Sequence, residues 1–323
     1  RGGKLGKPGG RPRRGSPNEP AAEGEPSGKQ RSRTSGLPPA HGQQVAEPTF
    51  EPSQFERATP DQIRKAAKKC KKRTAKHPGD AMGMRQTLLL PTEALEALAI
   101  LFEITEGIGE LPVQVQTLVV KLLDKPKGGK RPVGIFPWFY RLWARTRQGE
   151  AAKWEQEQMT RDYFAASKGC GAEKVVWRMM LRNGVARKEG KGKMAVAQVV
   201  KDFKKFYEGI SHDDLREKLS KYQFSRTLSR VVTSAYAMKR RICVKDAYSE
   251  EMWPGAGVVA GCSFATSVIK AYYAEAFDAL NARWQRRAAE EGCDFELQVY
   301  IDDIAGTLRG PAEKVARLTP WLE

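Results

Sequence analysis

Leu297-Gln298-Val299-Tyr300-Ile301-Asp302-Asp303-Ile304-Ala305-Gly306-Thr307 sets two adjacent carboxylates between apolar flanks. The alternation predicts a β-hairpin, with Val299 and Ile301 on one side of the first strand, Asp302-Asp303 at the tip and Ile304 to Leu308 returning alongside. A lone Asp-Asp between strands is ordinarily a solvated turn, because Asp is a routine turn residue. A second stretch changes that reading. Met194-Ala-Val-Ala-Gln-Val-Val-Lys-Asp202 is a β-rich run that again ends on an acid, and Phe203-Lys-Lys-Phe-Tyr207-Glu-Gly-Ile-Ser-His212 follows it. If Val196 to Asp202 lies beside the Tyr300-to-Thr307 hairpin in one antiparallel sheet, both strands bring their acids to one edge. Such an edge would make a site for two Mg²⁺ ions.

Together these stretches resemble motifs A and C of reverse transcriptases: Asp202 with an aromatic five residues on at Tyr207, and Tyr300-Ile301-Asp302-Asp303. The run Phe206 to His212 is most similar to the non-LTR retrotransposon and group II intron branch. The resemblance implies an α+β fold of the polymerase right-hand type, with fingers and an antiparallel palm sheet packed on helices. The thumb is expected to be absent, and the opening Arg1 reads as that of a fragment. The implied activity is RNA-directed DNA synthesis by nucleotidyl transfer, with Asp202, Asp302 and Asp303 catalytic and Asp303 in the supporting role. The backbone carbonyl of Phe203 joins these three as a metal ligand by analogy. Implied cofactors are two Mg²⁺ ions, with Mn²⁺ as a substitute, and implied partners are an RNA template, a DNA primer and dNTPs. Tyr207 would lie under the sugar and exclude a 2′-OH; RNA-dependent RNA polymerases generally have a polar residue, often Asp, in that place.

Upstream, Leu118 to Ile135 reads as two β-runs joined by a cationic Gly128-Gly129 turn that holds Lys125, Lys127, Lys130 and Arg131 over something anionic. It resembles the fingers hairpin of the family, which implies nucleotide binding by Lys130 and Arg131 and nucleic-acid contact by Lys125 and Lys127. Pro137 to Arg145 resembles the next motif, leading into a helix, with Arg141 and Arg145 as candidates for template phosphates. Tyr300 belongs to the same nucleic-acid-binding set. The small-residue loop Gly255 to Ser267 opens a long helix running through Trp284, and glycine lets a backbone approach a ligand closely. It resembles motif B, with Gly261 assigned to the nucleotide. Here the sequence departs from the family, which usually has Gln where Ala260 stands and Ser-Pro near Ala265-Thr266.

Helices are expected over 61–73, over 92–105 with Thr92 as N-cap, from Ser211 to Leu219, from Ser225 to Met238, and from Pro311 to Leu318. Residues 1–50, rich in Gly, Pro, Ser, Arg and Lys with Phe50 the only aromatic, read as a disordered basic tail. The expected organisation continues with a basic helical extension or linker over 51–84, a fingers-like region over 85–195 and a palm over 196–323. A net charge of +18 over 323 residues points to a polyanionic partner. No run of about 18 apolar residues suggests a membrane span, so nucleic acid is favoured over membrane. The five cysteines contain no CxxC pair, which argues against zinc and against a disulfide framework. A basic structural RNA-binding protein would explain the charge but not the paired acids. The alternative reading is a catalytically weak or inactive scaffold of this fold, which Ala260 favours.

Overall fold

The computed structural model describes residues 49–71, 74–126, 128–165, 171–190, 193–203, 205–245 and 247–322. The expected tail up to residue 48, Lys127 and Cys170 lie outside them. Thr59 and Gln62 close a capping box, with the Gln62 N–H on the Thr59 hydroxyl at 3.2 Å and the Thr59 N–H on the Gln62 side-chain Oε1 at 2.9 Å. Pro60 supplies the first helical position of α1 (Pro60–Lys68). The helix is shorter than the 61–73 expected, and it buries Ile63, Ala66 and Ala67 against α2 and α3. α2 (Thr92–Ile108) starts after Pro91 with no side-chain cap, so Thr92 is inside the helix and not its N-cap; Gly109 at φ 80° ends it.

β1 (Thr117–Asp124) and β2 (Lys130–Ile135) form the expected antiparallel hairpin, with Gly128 and Gly129 at φ 87° and 84° in its turn. Pro132 is tolerated because β2 is the edge strand. α3 (Trp138–Gln158) and α4 (Ala172–Glu189) lead to β3 (Met194–Asp202). Ser211 and Ser225 each cap a helix, accepting from the Asp214 and Leu228 N–H groups, and these are α5 (His212–Lys221) and α6 (Arg226–Ala237). β4 (Lys239–Val244) runs parallel to β1, and β5 (Ala247–Tyr248) completes a mixed sheet in the order β2-β1-β4-β5. α7 (Ala265–Glu290), β6 (Asp294–Tyr300), β7 (Asp303–Pro311) and α8 (Ala312–Leu318) follow. The second sheet has the order β3-β7-β6 and is antiparallel throughout.

The register sorts that sheet's residues into two faces. Phe295, Leu297, Val299, Ile304 and Leu308 share one face, where Phe295 meets Trp284 of α7 at 5.7 Å between ring centroids. On the other face, the end away from the Ile301 turn is crossed by α4. Asn183 accepts from Arg309 at 2.8 Å, and Arg182 meets Glu296 at 3.0 Å. Helices therefore flank both faces. The outer side of α4 leaves Trp177, Met180 and Leu181 exposed.

One buried polar cluster fastens the start of the described chain to α2 and α3. Glu106 accepts from Ser53, from Trp143 Nε1 at 2.8 Å and twice from Arg147, at 2.6 and 3.0 Å. Glu51 N–H meanwhile donates to the Gly107 carbonyl at 2.8 Å. Residues 51–53 are thus tied to α2 by hydrogen bonds. Among the described residues no helix is long and apolar enough to cross a membrane.

Candidate active site

The two sequence stretches meet at one end of the three-stranded sheet. β3 and β7 pair so that Asp202 stands opposite Asp303, and β6 and β7 pair so that Tyr300 also stands opposite Asp303. Past the last rung, the Phe203 N–H donates to the Asp302 carbonyl at 3.0 Å. Three acids and the Phe203 backbone are therefore gathered at the ends of adjacent strands, where directly paired Cα atoms lie about 5 Å apart. Because Tyr300 pairs with Asp303, the hairpin turn consists of Ile301 and Asp302. Asp303 already belongs to the returning strand, a correction to the expected Asp302-Asp303 tip. Ile301 takes φ 58°, a conformation that a β-branched side chain rarely adopts. Ile301 is partly buried and packed against the hydrophobic core.

Behind the acids stands an aromatic group. Phe206 and Tyr273 stack at 4.6 Å, Phe203 lies 5.7 Å from Phe206, and the Tyr273 hydroxyl donates to the Phe206 carbonyl at 3.1 Å. Tyr207 is half-buried, and its phenol is pushed up to about 12, first by burial and then by the negative charges of Asp302 and Glu208. The tyrosine is thereby placed within electrostatic reach of the turn that holds Asp302.

The glycine loop lies flush on this segment. Gly257 N–H donates to the Ile210 carbonyl and Val258 N–H to the Tyr207 carbonyl, both at 2.8 Å. Gly257 has φ 106°, and a Cβ there would stand 3.2 Å from the Glu208 carbonyl oxygen. Gly261, at φ 96°, turns the loop towards α7, with the Gly134 carbonyl of β2 as its nearest neighbour at 4.0 Å. Val259 packs so closely on Gly134 that a Cβ on that glycine would stand 2.2 Å from it. The base of the β1–β2 hairpin, the loop and the Tyr207 segment are thus in direct contact.

The basic candidates fare differently. Lys130 is ion-paired with Asp124, its cross-strand partner. Arg131 is exposed one position further along β2, and Lys125 is exposed in the turn. Arg141 is half-buried and donates to the Ala75 carbonyl at 2.7 Å, which ties the segment after α1 to α3. Burial lowers the pKa of that guanidinium. Arg145 is partly buried on the same helix.

The donor atoms gathered at the sheet end are carboxylate and backbone oxygens, the set that a hard divalent cation prefers. Among the described residues no three His, Cys, Asp or Glu side chains stand as a ready-made metal cage. Mg²⁺ seldom needs one, since it usually keeps several waters and binds through one or two carboxylates together with substrate phosphates. Sequence reasoning assigned no role to Tyr273, Arg240 or His212. His212 stands at the end of the recognised stretch and next to a helix-capping serine, and its ring is held by the Gly257 carbonyl of the glycine loop at 3.0 Å.

No family model matches the chain, and no curated protein matches it. Among solved structures it is similar to apo telomerase from Candida tropicalis truncated from its C-terminal domain, with 14% identity and a TM-score of 0.43. The match covers 64% of this chain and 46% of that one.

Proposed function

We propose that this chain is a template-directed nucleotidyl transferase that copies RNA into DNA, with the β1–β2 hairpin and its helices as fingers and the β3-β7-β6 sheet as the core of the palm. The observation that supports this most is the pairing of Asp202 with Asp303, extended by the Phe203 hydrogen bond to Asp302. It gathers the acids of two sequence-distant motifs at one strand end. In this reading Asp202, Asp302, Asp303 and the Phe203 carbonyl hold two Mg²⁺ ions. Bound there, Mg²⁺ supplies a Lewis acid for the primer 3′-hydroxyl and charge neutralisation for the departing pyrophosphate. Arg131 and Lys130 orient the triphosphate from the β1–β2 hairpin, Lys130 exchanging Asp124 for phosphate. Tyr207 lies under the sugar and excludes a 2′-hydroxyl, while the loop around Gly261 approaches the nucleotide and Tyr300 the primer end. Lys125, Lys127, Arg141 and Arg145 are assigned to nucleic-acid phosphates.

A second reading, a nucleic-acid-binding scaffold without activity, is favoured by Ala260. Primer extension on an RNA template with labelled dTTP separates the two. The polymerase reading predicts extension that stops when Mg²⁺ is chelated, with ribonucleotide use rising relative to deoxynucleotide in Tyr207→Val. No Mg²⁺-dependent extension by the unmodified chain would leave the scaffold.

A further inference from the structure

The carbonyl of Gly257 is a point of convergence. Gly257 is buried in the loop that lies on the Tyr207 segment, and its carbonyl accepts from His212 Nε2 at 3.0 Å and from an Arg240 guanidinium nitrogen at 3.3 Å. A carbonyl only accepts, so Nε2 carries the ring proton in this arrangement. The same Arg240 nitrogen donates to the Tyr236 carbonyl at 3.1 Å, which anchors it to the end of α6. His212 is the first residue of α5 and follows directly on the strand-to-helix connection that carries Tyr207. Three separate chain segments are thus joined at one oxygen atom.

Two further contacts make this junction directional. On either side of the accepting carbonyl, Gly257 N–H and Val258 N–H bond to the carbonyls of Ile210 and Tyr207. The Glu208 backbone fills the space where a Gly257 side chain would be. The loop therefore has four hydrogen bonds holding it to residues 207–212 and β4, and little freedom to lift. The Gly257 carbonyl shares its peptide unit with the Val258 N–H, whose hydrogen bond to the Tyr207 carbonyl links the loop to that segment.

We infer that His212 and Arg240 are positioning residues that clamp the Gly257 carbonyl and, through it, set the depth at which Tyr207 meets the nucleotide sugar. Neither touches the reacting atoms. The inference rests on the role given to Tyr207 above, and it adds a device that fixes the sugar-selecting side chain from behind. A displacement well under 1 Å at such a contact is enough to change selectivity, since misplacements of about 1 Å cost on the order of a hundredfold in enzymes.

The test compares His212→Ala, His212→Gln, Arg240→Met and Arg240→Lys in the whole chain by two readouts. The first is amide hydrogen exchange over 207–210 and 255–261. His212→Ala and Arg240→Met are expected to speed exchange at Gly257 and Val258. His212→Gln, whose amide still donates to the carbonyl, is expected to restore protection, and Arg240→Lys to restore it in part. The second readout is the ratio of kcat/KM for deoxynucleotide to that for ribonucleotide, expected to fall about tenfold in the Ala and Met variants and to recover in the Gln variant. Unchanged exchange in both truncated variants would overturn the clamp, and so would faster exchange with an unchanged sugar ratio. Loss of thermal stability with neither readout moving would identify a purely structural contact and also overturn it. If the unmodified chain extends no primer, the polymerase reading fails alone, and the exchange data still decide whether the clamp exists.

Discussion

At the scale of single residues, two glycines of one loop have different reasons to be glycine. Both have positive φ, but a Cβ at Gly257 would stand 3.2 to 3.4 Å from backbone atoms of Tyr207 and Glu208, whereas at Gly261 nothing comes closer than 4.0 Å. Gly261→Ala is therefore expected to cost about 1 kcal/mol of conformational strain, and Gly257→Ala about 2 to 3, because backbone must also move. Chemical denaturation of the two variants checks the order. The histidines make a second prediction. Burial is the largest influence on both His77 and His212 and lowers each below the ordinary 6.5. For a histidine held neutral by the fold, the unfolded chain binds more protons between the folded value and 6.5, so stability is fully present above about 6.5 and is lost as the pH falls through the folded values. Denaturation midpoints at pH 7.5 and 5.5 should show that loss, and His212→Gln should reduce it. The strained Ile301 marks the limit of residue-level reading. Turn chemistry favours Asp for positive φ, but the Tyr300–Asp303 pairing leaves only Ile301 and Asp302 for the turn and overrides that preference.

Among elements, those with local signals were legible and those with remote partners were not. Ser211 and Ser225 announced α5 and α6, and the paired glycines announced the β1–β2 hairpin, because caps and turns are decided within four residues. The parallel pairing of β1 with β4 joins Thr117 to Lys239. Nothing in either run names the other, since strand partners are chosen by tertiary packing. The same holds for Phe164, which bridges to Val299 and extends the acid-bearing sheet past β6, and for α4, whose apolar residues on several sides gave no sign of which face meets the sheet. The join between residues 49–56, α2 and α3 yields a stability prediction. Glu106 and Arg147 are buried, with side-chain exposures of 0% and 8%. Glu106→Ala strands a guanidinium without its partner, and it should destabilise the chain by about 3 to 5 kcal/mol. A melting temperature within a degree of the parent's would show that water or another acid replaces Glu106.

For the whole molecule, a charge of +18 makes polyanion binding an electrostatic property first. Affinity for an RNA–DNA duplex should fall with salt at a log–log slope near −0.9 per phosphate neutralised. Removal of residues 1–48 should shallow that slope for all sequences alike; a sequence preference that disappears with the tail would contradict this. Catalysis, by contrast, is assigned to one sheet end, and the most direct test isolates the acids there. Asp202→Asn and Asp302→Asn keep shape and remove charge. In single-turnover dTTP incorporation on an RNA template, with template affinity measured on the same samples, the account predicts rates lower by on the order of a thousandfold or more and affinity unchanged within about twofold, roughly 0.4 kcal/mol. Incorporation that proceeds at the parent's rate in Asp302→Asn would contradict it.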